Sequence, residues 1–351
     1  MNEKPTPKHI LVGCADNPAS LFAALPAFQS LKKAFPQARL TAYIDPSGQG
    51  IVQGHPAVDG VLVSIKDEGP LKLAGRLRGF GADTFINLYP RPQLTLAAWL
   101  AKIPMRIGLQ YKWQGFFLTQ VVKIRRAVSD RNEVEYNFEL LKPLGVSEFA
   151  QKIEFPVAEA QKAWLREFLE KKGIAAGTPY VIVHPGSRGR ALHWKLEKYG
   201  QLLGYLSQVK GLRVIVTSVP GEEPLITEVM APLFSVPPEQ KPLVISTGDL
   251  ELKQLAALCR GALCLFSGPL GPMQLAAAVG TPTVTIFSPA PDATPDRWGP
   301  WGNEHTVLVP QNTSCTGCMV GYCKKHDPMD ALTAPEALEA VLKYVRRTLS
   351  V

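Results

Sequence analysis

The feature that most constrains this chain is an alternation, present in both halves, of short β-branched or apolar runs with longer stretches of helical period. Such an alternation calls for parallel sheets. Consecutive parallel strands need a crossover, and an amphipathic helix supplies one while burying its apolar face on the sheet. In the first half the pattern predicts strands over 9–14, 40–44, 60–65, 84–88 and 105–108. Helices are expected over 20–34, where Leu21, Leu25, Phe28, Leu31 and Phe35 share a face, and over 93–102. The second half starts a new cycle, with strands over 180–184, 212–217, 242–245, 262–266 and 282–287. Its helices are expected over 159–172, 196–208, 222–231, 250–260, 272–279 and 334–349, and Asp249 is placed as an N-cap.

At 351 residues, 46% of them hydrophobic, the chain has material for two domains with cores of their own. The hinge is expected near 154–158, where Pro156 interrupts the pattern. Open parallel sheets bind ligands at the carboxyl ends of their strands, so two such domains are expected to face one interdomain cleft. The 38 Lys and Arg against 30 Asp and Glu give a net charge of +8, an excess that favours acidic partners without choosing among them. No apolar run approaches the ~20 residues of a membrane span. The N-terminus has no signal-peptide core, so the expected location is the cytoplasm. Cys14, Cys259 and Cys264 lie in apolar surroundings and read as buried thiols.

Two strand-to-helix turns carry most of the chemistry. The first runs from Val183 through His184, Pro185, Gly186, Ser187, Arg188, Gly189 and Arg190 to His193, Trp194 and Lys195. Glycines admit a ligand to the backbone, helix-start amides favour an anion, and the basic side chains add charge, as in a phosphate cradle. A solvated loop with turn glycines is the alternative. The second turn, Ser267 to Pro282, passes through Gly271, Pro272, Met273 and Gln274 into a helix of small residues that packs closely on its sheet.

These two turns, with Phe287-Ser288-Pro289 and Arg297-Trp298-Gly299-Pro300-Trp301-Gly302, resemble the family 9 glycosyltransferases, the ADP-heptose:lipopolysaccharide heptosyltransferases. Leu25-Pro26-Ala27-Phe28 and residues 98–109 extend the resemblance over nearly the whole chain. It implies a GT-B fold, two Rossmann-like domains facing a cleft. Residues 1–155 would bind a phosphorylated lipopolysaccharide acceptor and 156–333 an ADP-sugar, while the helix in 334–351 would pack back across the cleft. It further implies inverting transfer that needs no metal or other cofactor. Ser187, Arg188, Arg190, His193, Glu222, Gly271, Pro272, Met273 and Gln274 would be the donor contacts. Glu222 and Glu223 are otherwise ordinary acids of a helix's first turn.

The chain departs from the family pattern where chemistry is done. The attacking hydroxyl must lose a proton, which calls for a carboxylate, but the position of the family's acid holds Ser20. Asp16, four residues earlier, is the substitute carboxylate or simply a turn residue. The usual donor-loop lysine is Leu192, and the acid and histidine of the third motif are replaced by Pro269 and Gln274. Two readings follow: a divergent transferase, or a catalytically degenerate relative that binds a nucleotide-sugar, a glycolipid or a partner enzyme.

Two further groups stand out. Cys315, Cys318, Cys323 and His326 have the number of ligands for a Cys3His zinc site, and equally for free thiols. Arg91, Lys102, Arg106, Lys112, Arg125 and Arg126 interleave with Tyr111, Trp113, Phe116 and Phe117. That segment reads as a contact for a glycolipid or an anionic membrane surface, peripheral to the inner membrane, or as a packed loop. No nucleic-acid module is present, so no nucleic acid is expected as a partner.

Overall fold

The structure, a computed structural model, describes residues 6–110, 112–126, 130–186, 194–269, 271–289, 294–311 and 327–349. The chain divides into two compact units, Met1–Ile153 and Glu154–Val351. Among the described residues no helix is long and apolar enough to cross a membrane.

The first unit contains β1 (His9–Gly13), α1 (Pro18–Ala34), β2 (Arg39–Ile44), α2 (Gln49–Val52), β3 (Gly60–Val63) and α3 (Pro70–Phe80). It continues through β4 (Thr84–Asn87), α4 (Pro92–Leu100), β5 (Met105–Leu109), β6 (Gln120–Val122) and α5 (Glu133–Glu139). The sheet order is β3-β2-β1-β4-β5-β6, parallel at every pairing. All its strands therefore end on one edge, and β1 lies between β2 and β4, where the crossover direction reverses. Helix α1 starts at Asn17, whose side chain accepts from Ser20 N at 3.0 Å, with Pro18 in the first turn. It is buried almost all round and packs against α5.

A buried polar network supports that helix from below. Tyr89 donates its hydroxyl to Ser20 O at 2.7 Å, and Asn137 donates to the Tyr89 oxygen and to Ala23 O. Arg126 donates to Asn137 Oδ1, pairs with Glu133 at 2.5 Å and lies over the Tyr89 ring. Burial, followed by the charge of Glu133, keeps Tyr89 protonated by raising its pKa well above the usual tyrosine range.

The second unit contains α6 (Glu159–Lys171), β7 (Tyr180–His184), α7 (Leu196–Ser207), β8 (Arg213–Ser218), α8 (Glu223–Met230), β9 (Leu243–Ser246) and α9 (Leu252–Gly261). Then come β10 (Leu265–Ser267), α10 (Gly271–Ala278), β11 (Thr283–Ile286), α11 (Pro295–Trp298), β12 (His305–Leu308) and α12 (Ala334–Val345). Its sheet is also parallel, in the order β12-β11-β10-β7-β8-β9. Trp194 is 2% exposed, packs against Tyr199 and Phe266, and donates its indole N–H to Leu332 O at 2.9 Å. Lys198 donates to the carbonyls of Asp330 and Leu332, and Lys195 pairs with Asp330. These contacts hold the chain before α12 on α7. Val341, Tyr344 and Val345 of α12 then complete the same core.

Where pattern and structure differ, the causes are local. The N-cap of α9 is Glu251, whose capping box with Gln254 satisfies the helix start. Asp249 ends a preceding 3-10 turn instead. The pattern missed β6 and β12, short edge strands with few buried residues. It also missed α3, which buries only Leu73, Ala74 and Leu77. Cys14, Cys259 and Cys264 are buried and free, and burial pushes the last two thiols up to about 12.

Two substitutions test these cores by urea denaturation. Trp194→Ala removes the ring and one of the two donors to the Leu332 carbonyl, and should cost about 3–5 kcal/mol, with Trp194→Phe costing clearly less. Arg126→Met removes the guanidinium from the buried Glu133 carboxylate and should cost about 3–5 kcal/mol.

Candidate active site

The turn after β1 carries the first group of interest. Ser20 is 0% exposed, so its hydroxyl cannot reach a ligand, and it donates instead to Asp16 Oδ2 at 2.6 Å. Asn17 Nδ2 donates to the same oxygen at 3.2 Å. Asp16 itself is exposed at the carboxyl edge of the sheet, and its Oδ1 has no partner among the described residues. One turn of α1 thus converts a serine at the acid's position into a support for a carboxylate beside it. A carboxylate with one oxygen held and the other open is arranged to accept a proton.

A cavity of about 460 Å³ opens at the carboxyl ends of β2 and β3. Tyr43, Asp45, Ser64, Lys66, Arg91 and Gln93 are among its lining residues. The Cys14 amide donates to Tyr43 O at 2.9 Å, so the turn bearing Asp16 leaves the sheet next to this cavity. Tyr43 is only 5% exposed, and its hydroxyl has no hydrogen-bond partner among the described residues. Burial raises its pKa, so it remains a donor at neutral pH. Lys66, Arg91 and Gln93 offer donors and Asp45, Asp67 and Glu68 acceptors, a mixed lining suited to a ligand rich in hydroxyls.

In the second unit, β7 delivers His184 and Gly186 to the carboxyl edge. The His184 ring is within 3.0 Å of Thr217 Oγ1 on β8. The half-buried Glu222, just before α8, receives Val219 N at 3.0 Å and fills the space that a side chain at Gly186 would occupy. The structure therefore brings two separately read residues, Gly186 and Glu222, into contact. Glu223 instead accepts from the Gly221 amide, and its backbone hydrogen bonds lower its pKa.

Around β10 and β11 the edge is polar and incompletely satisfied. Gln274 donates to Trp298 O at 3.1 Å, joining two of the sequence motifs, while its Oε1 is buried with no partner among the described residues. The hydroxyls of Thr285, Ser288 and Thr294 are in the same state. Each unpaired buried polar atom costs about 1–3 kcal/mol, so these oxygens call for water or another polar partner. Gly271 and Pro272 are half-buried at the start of α10. Met273 has no exposed surface and belongs to the core, leaving contact at this turn to its neighbours. Periodicity could not single out Thr285, Ser288 or Thr294, because hydroxyl residues in strands and turns are commonplace. Ser187, Arg188, Arg190 and His193 lie outside the described residues, as do Cys315, Cys318, Cys323 and His326.

Comparisons with known proteins bear on the family and the fold. The chain is 23% identical over 289 residues to lipopolysaccharide heptosyltransferase 3 of Escherichia coli K12, covering 79% of this chain and 80% of that protein. Its fold matches the glycosyl transferase family 9 structure from Veillonella parvula with a TM-score of 0.82 at 20% identity, covering 97% and 98% of the two chains. It also matches E. coli heptosyltransferase WaaC with ADP, with a TM-score of 0.69 at 17% identity, covering 96% and 99%. The two parallel-sheet α/β units are those of the GT-B class. The family model of glycosyltransferase family 9 (heptosyltransferase) matches residues 71–327, and the chain belongs to that family.

Proposed function

We propose that this protein transfers heptose, or a closely related sugar, from an ADP-sugar to a hydroxyl of a phosphorylated lipopolysaccharide core in the cytoplasm. The first unit takes the acceptor and the second the donor. The carrying observation is the Asp16 carboxylate, exposed at the end of β1 with Ser20 donating to one of its oxygens. In the inverting reaction the acceptor oxygen forms a bond to the anomeric carbon while the bond from that carbon to the diphosphate oxygen breaks. Its electron pair leaves with ADP, and the hydroxyl proton passes to Asp16 Oδ1. Ser20 is a positioning residue: it fixes the carboxylate through Oδ2 and leaves Oδ1 to the acceptor. The presence of Asp16 favours turnover over a binding-only relative.

The acceptor's sugar hydroxyls suit the cavity beside β2 and β3, with Tyr43 and Arg91 as donors and Asp45 and Glu68 as acceptors. On the donor side, Glu222 accepts from the nucleoside hydroxyls. Gly271, Pro272 and the partly accessible Gln274 and Ser288 face the diphosphate sugar. Ser187, Arg188, Arg190 and His193 receive the diphosphate charge, replacing the lysine that Leu192 has lost. The match to WaaC with ADP supports adenosine diphosphate as the leaving group. No metal enters this reading, because the cations of the chain meet the developing charge.

Calorimetric titration should show saturable ADP binding well below ~1 mM, and no binding at that concentration would defeat the proposal. Gly186→Ala should displace the flexible Glu222 side chain and weaken ADP binding at least about fivefold while the protein stays folded. With lipopolysaccharide precursor and ADP-heptose, Asp16→Asn should lower kcat by roughly 10²–10⁴ and leave ADP affinity unchanged. Ser20→Ala should lower kcat less, and wild-type turnover in Asp16→Asn would place the base elsewhere.

A further inference from the structure

The positive charge of this protein is concentrated on one stretch of the first unit. Residues 84–129 contain seven Lys and Arg and no Asp or Glu, against a net charge of +8 for the whole chain. Two of the seven are consumed internally: Arg126 pairs with Glu133, and Arg106 donates to the carbonyls of Ile103 and Phe117. Lys102, Lys123 and Arg125 are exposed and have no ion pair among the described residues.

The same stretch exposes large aromatic side chains. Trp99 and Trp113 are each 46% exposed and Phe116 is 88% exposed. Trp99 and Trp113 both contact the Phe117 ring, with centroids 5.2 and 5.8 Å away, so they form one patch with Phe116 beside it in the chain. The patch is held rigidly. The 3-10 turn Lys112–Phe117 packs on α4, and the buried Gln114 donates to Leu109 O. Arg106 Nε fastens Phe117 O at 2.6 Å. Helix α4 ends on Lys102 at φ 60°, a left-handed position that glycine fills at lower cost. The chain thus keeps a cation at this helix end, where the Lys102 amide donates to Trp99 O.

We propose that this aromatic patch docks the protein on an anionic lipid bilayer. Trp and Phe enter the headgroup region, and Lys102, Lys123 and Arg125 meet the negative surface. Exposed aromatic rings on a stretch that carries exposed cations and no Asp or Glu match that surface in both apolarity and charge. No nucleic-acid module accompanies the patch, and a second copy of the chain would bring the same positive charge against itself. The inference is independent of the sugar-transfer reading, since it uses none of the residues assigned to that reaction.

The test is co-sedimentation of the full chain with phosphatidylcholine vesicles that contain about 30 mol% phosphatidylglycerol or none. Wild-type protein should bind only the anionic vesicles and be released near 0.5 M salt, roughly where screening shortens to a few ångströms. Trp113→Ser with Phe116→Ser should lower the partition coefficient about tenfold, with thermal unfolding unchanged. Lys123→Glu with Arg125→Glu, which alters surface charge alone, should do the same. Three results would each overturn the proposal: equal binding to both vesicles, wild-type binding by both pairs of variants, or a patch that proves to hold two copies together in the absence of lipid.

Discussion

Parallel strand pairing is the constraint on which the rest of this structure depends. Because every strand in each unit runs the same way, each crossover returns the chain to the opposite edge. Each unit therefore gathers its strand-to-helix turns on one edge. Asp16, Tyr43 and Arg91 all lie on that edge of the first unit, although 75 positions separate the first from the last. Gly186, Glu222 and Gln274 lie on the corresponding edge of the second. Strands β1 and β7, behind two of these turns, are wholly buried.

That separation explains how the carboxylate moves. Ser20 stands on the first turn of α1, and a group one helical turn earlier lies on the same face. Asp16 reaches it through a hydrogen bond, while Asn17 caps the helix between them. The buried network of Tyr89, Asn137, Arg126 and Glu133 holds α1 from the other side and fixes where that face points. An exposed carboxylate thus lies against the buried serine.

Charge follows a different logic. The net +8 counts residues whose work differs: Arg126 neutralises a buried glutamate, and Arg106 ties a turn to carbonyl oxygens. Lys198 clamps the segment before α12, and only part of the excess faces solvent. What matters for a partner is the cation without a counter-ion beside an exposed ring, and composition cannot separate it from the rest.

The amino-acid pattern by itself determined two α/β units with parallel sheets, ten of the twelve strands, the buried thiols and the family motifs. These are legible because burial imposes a period on neighbouring residues. The edge strands β6 and β12 and the half-exposed helix α3 were not legible, because little of them is buried. Tertiary structure alone decided that Ser20 is a support and Asp16 the exposed carboxylate. It also set Glu222 against Gly186, removed Met273 into the core, and left oxygen atoms at the end of β11 without a partner among the described residues. The physical reason is that a residue's chemistry depends on exposure and hydrogen-bond partners, which come from chain segments distant in sequence.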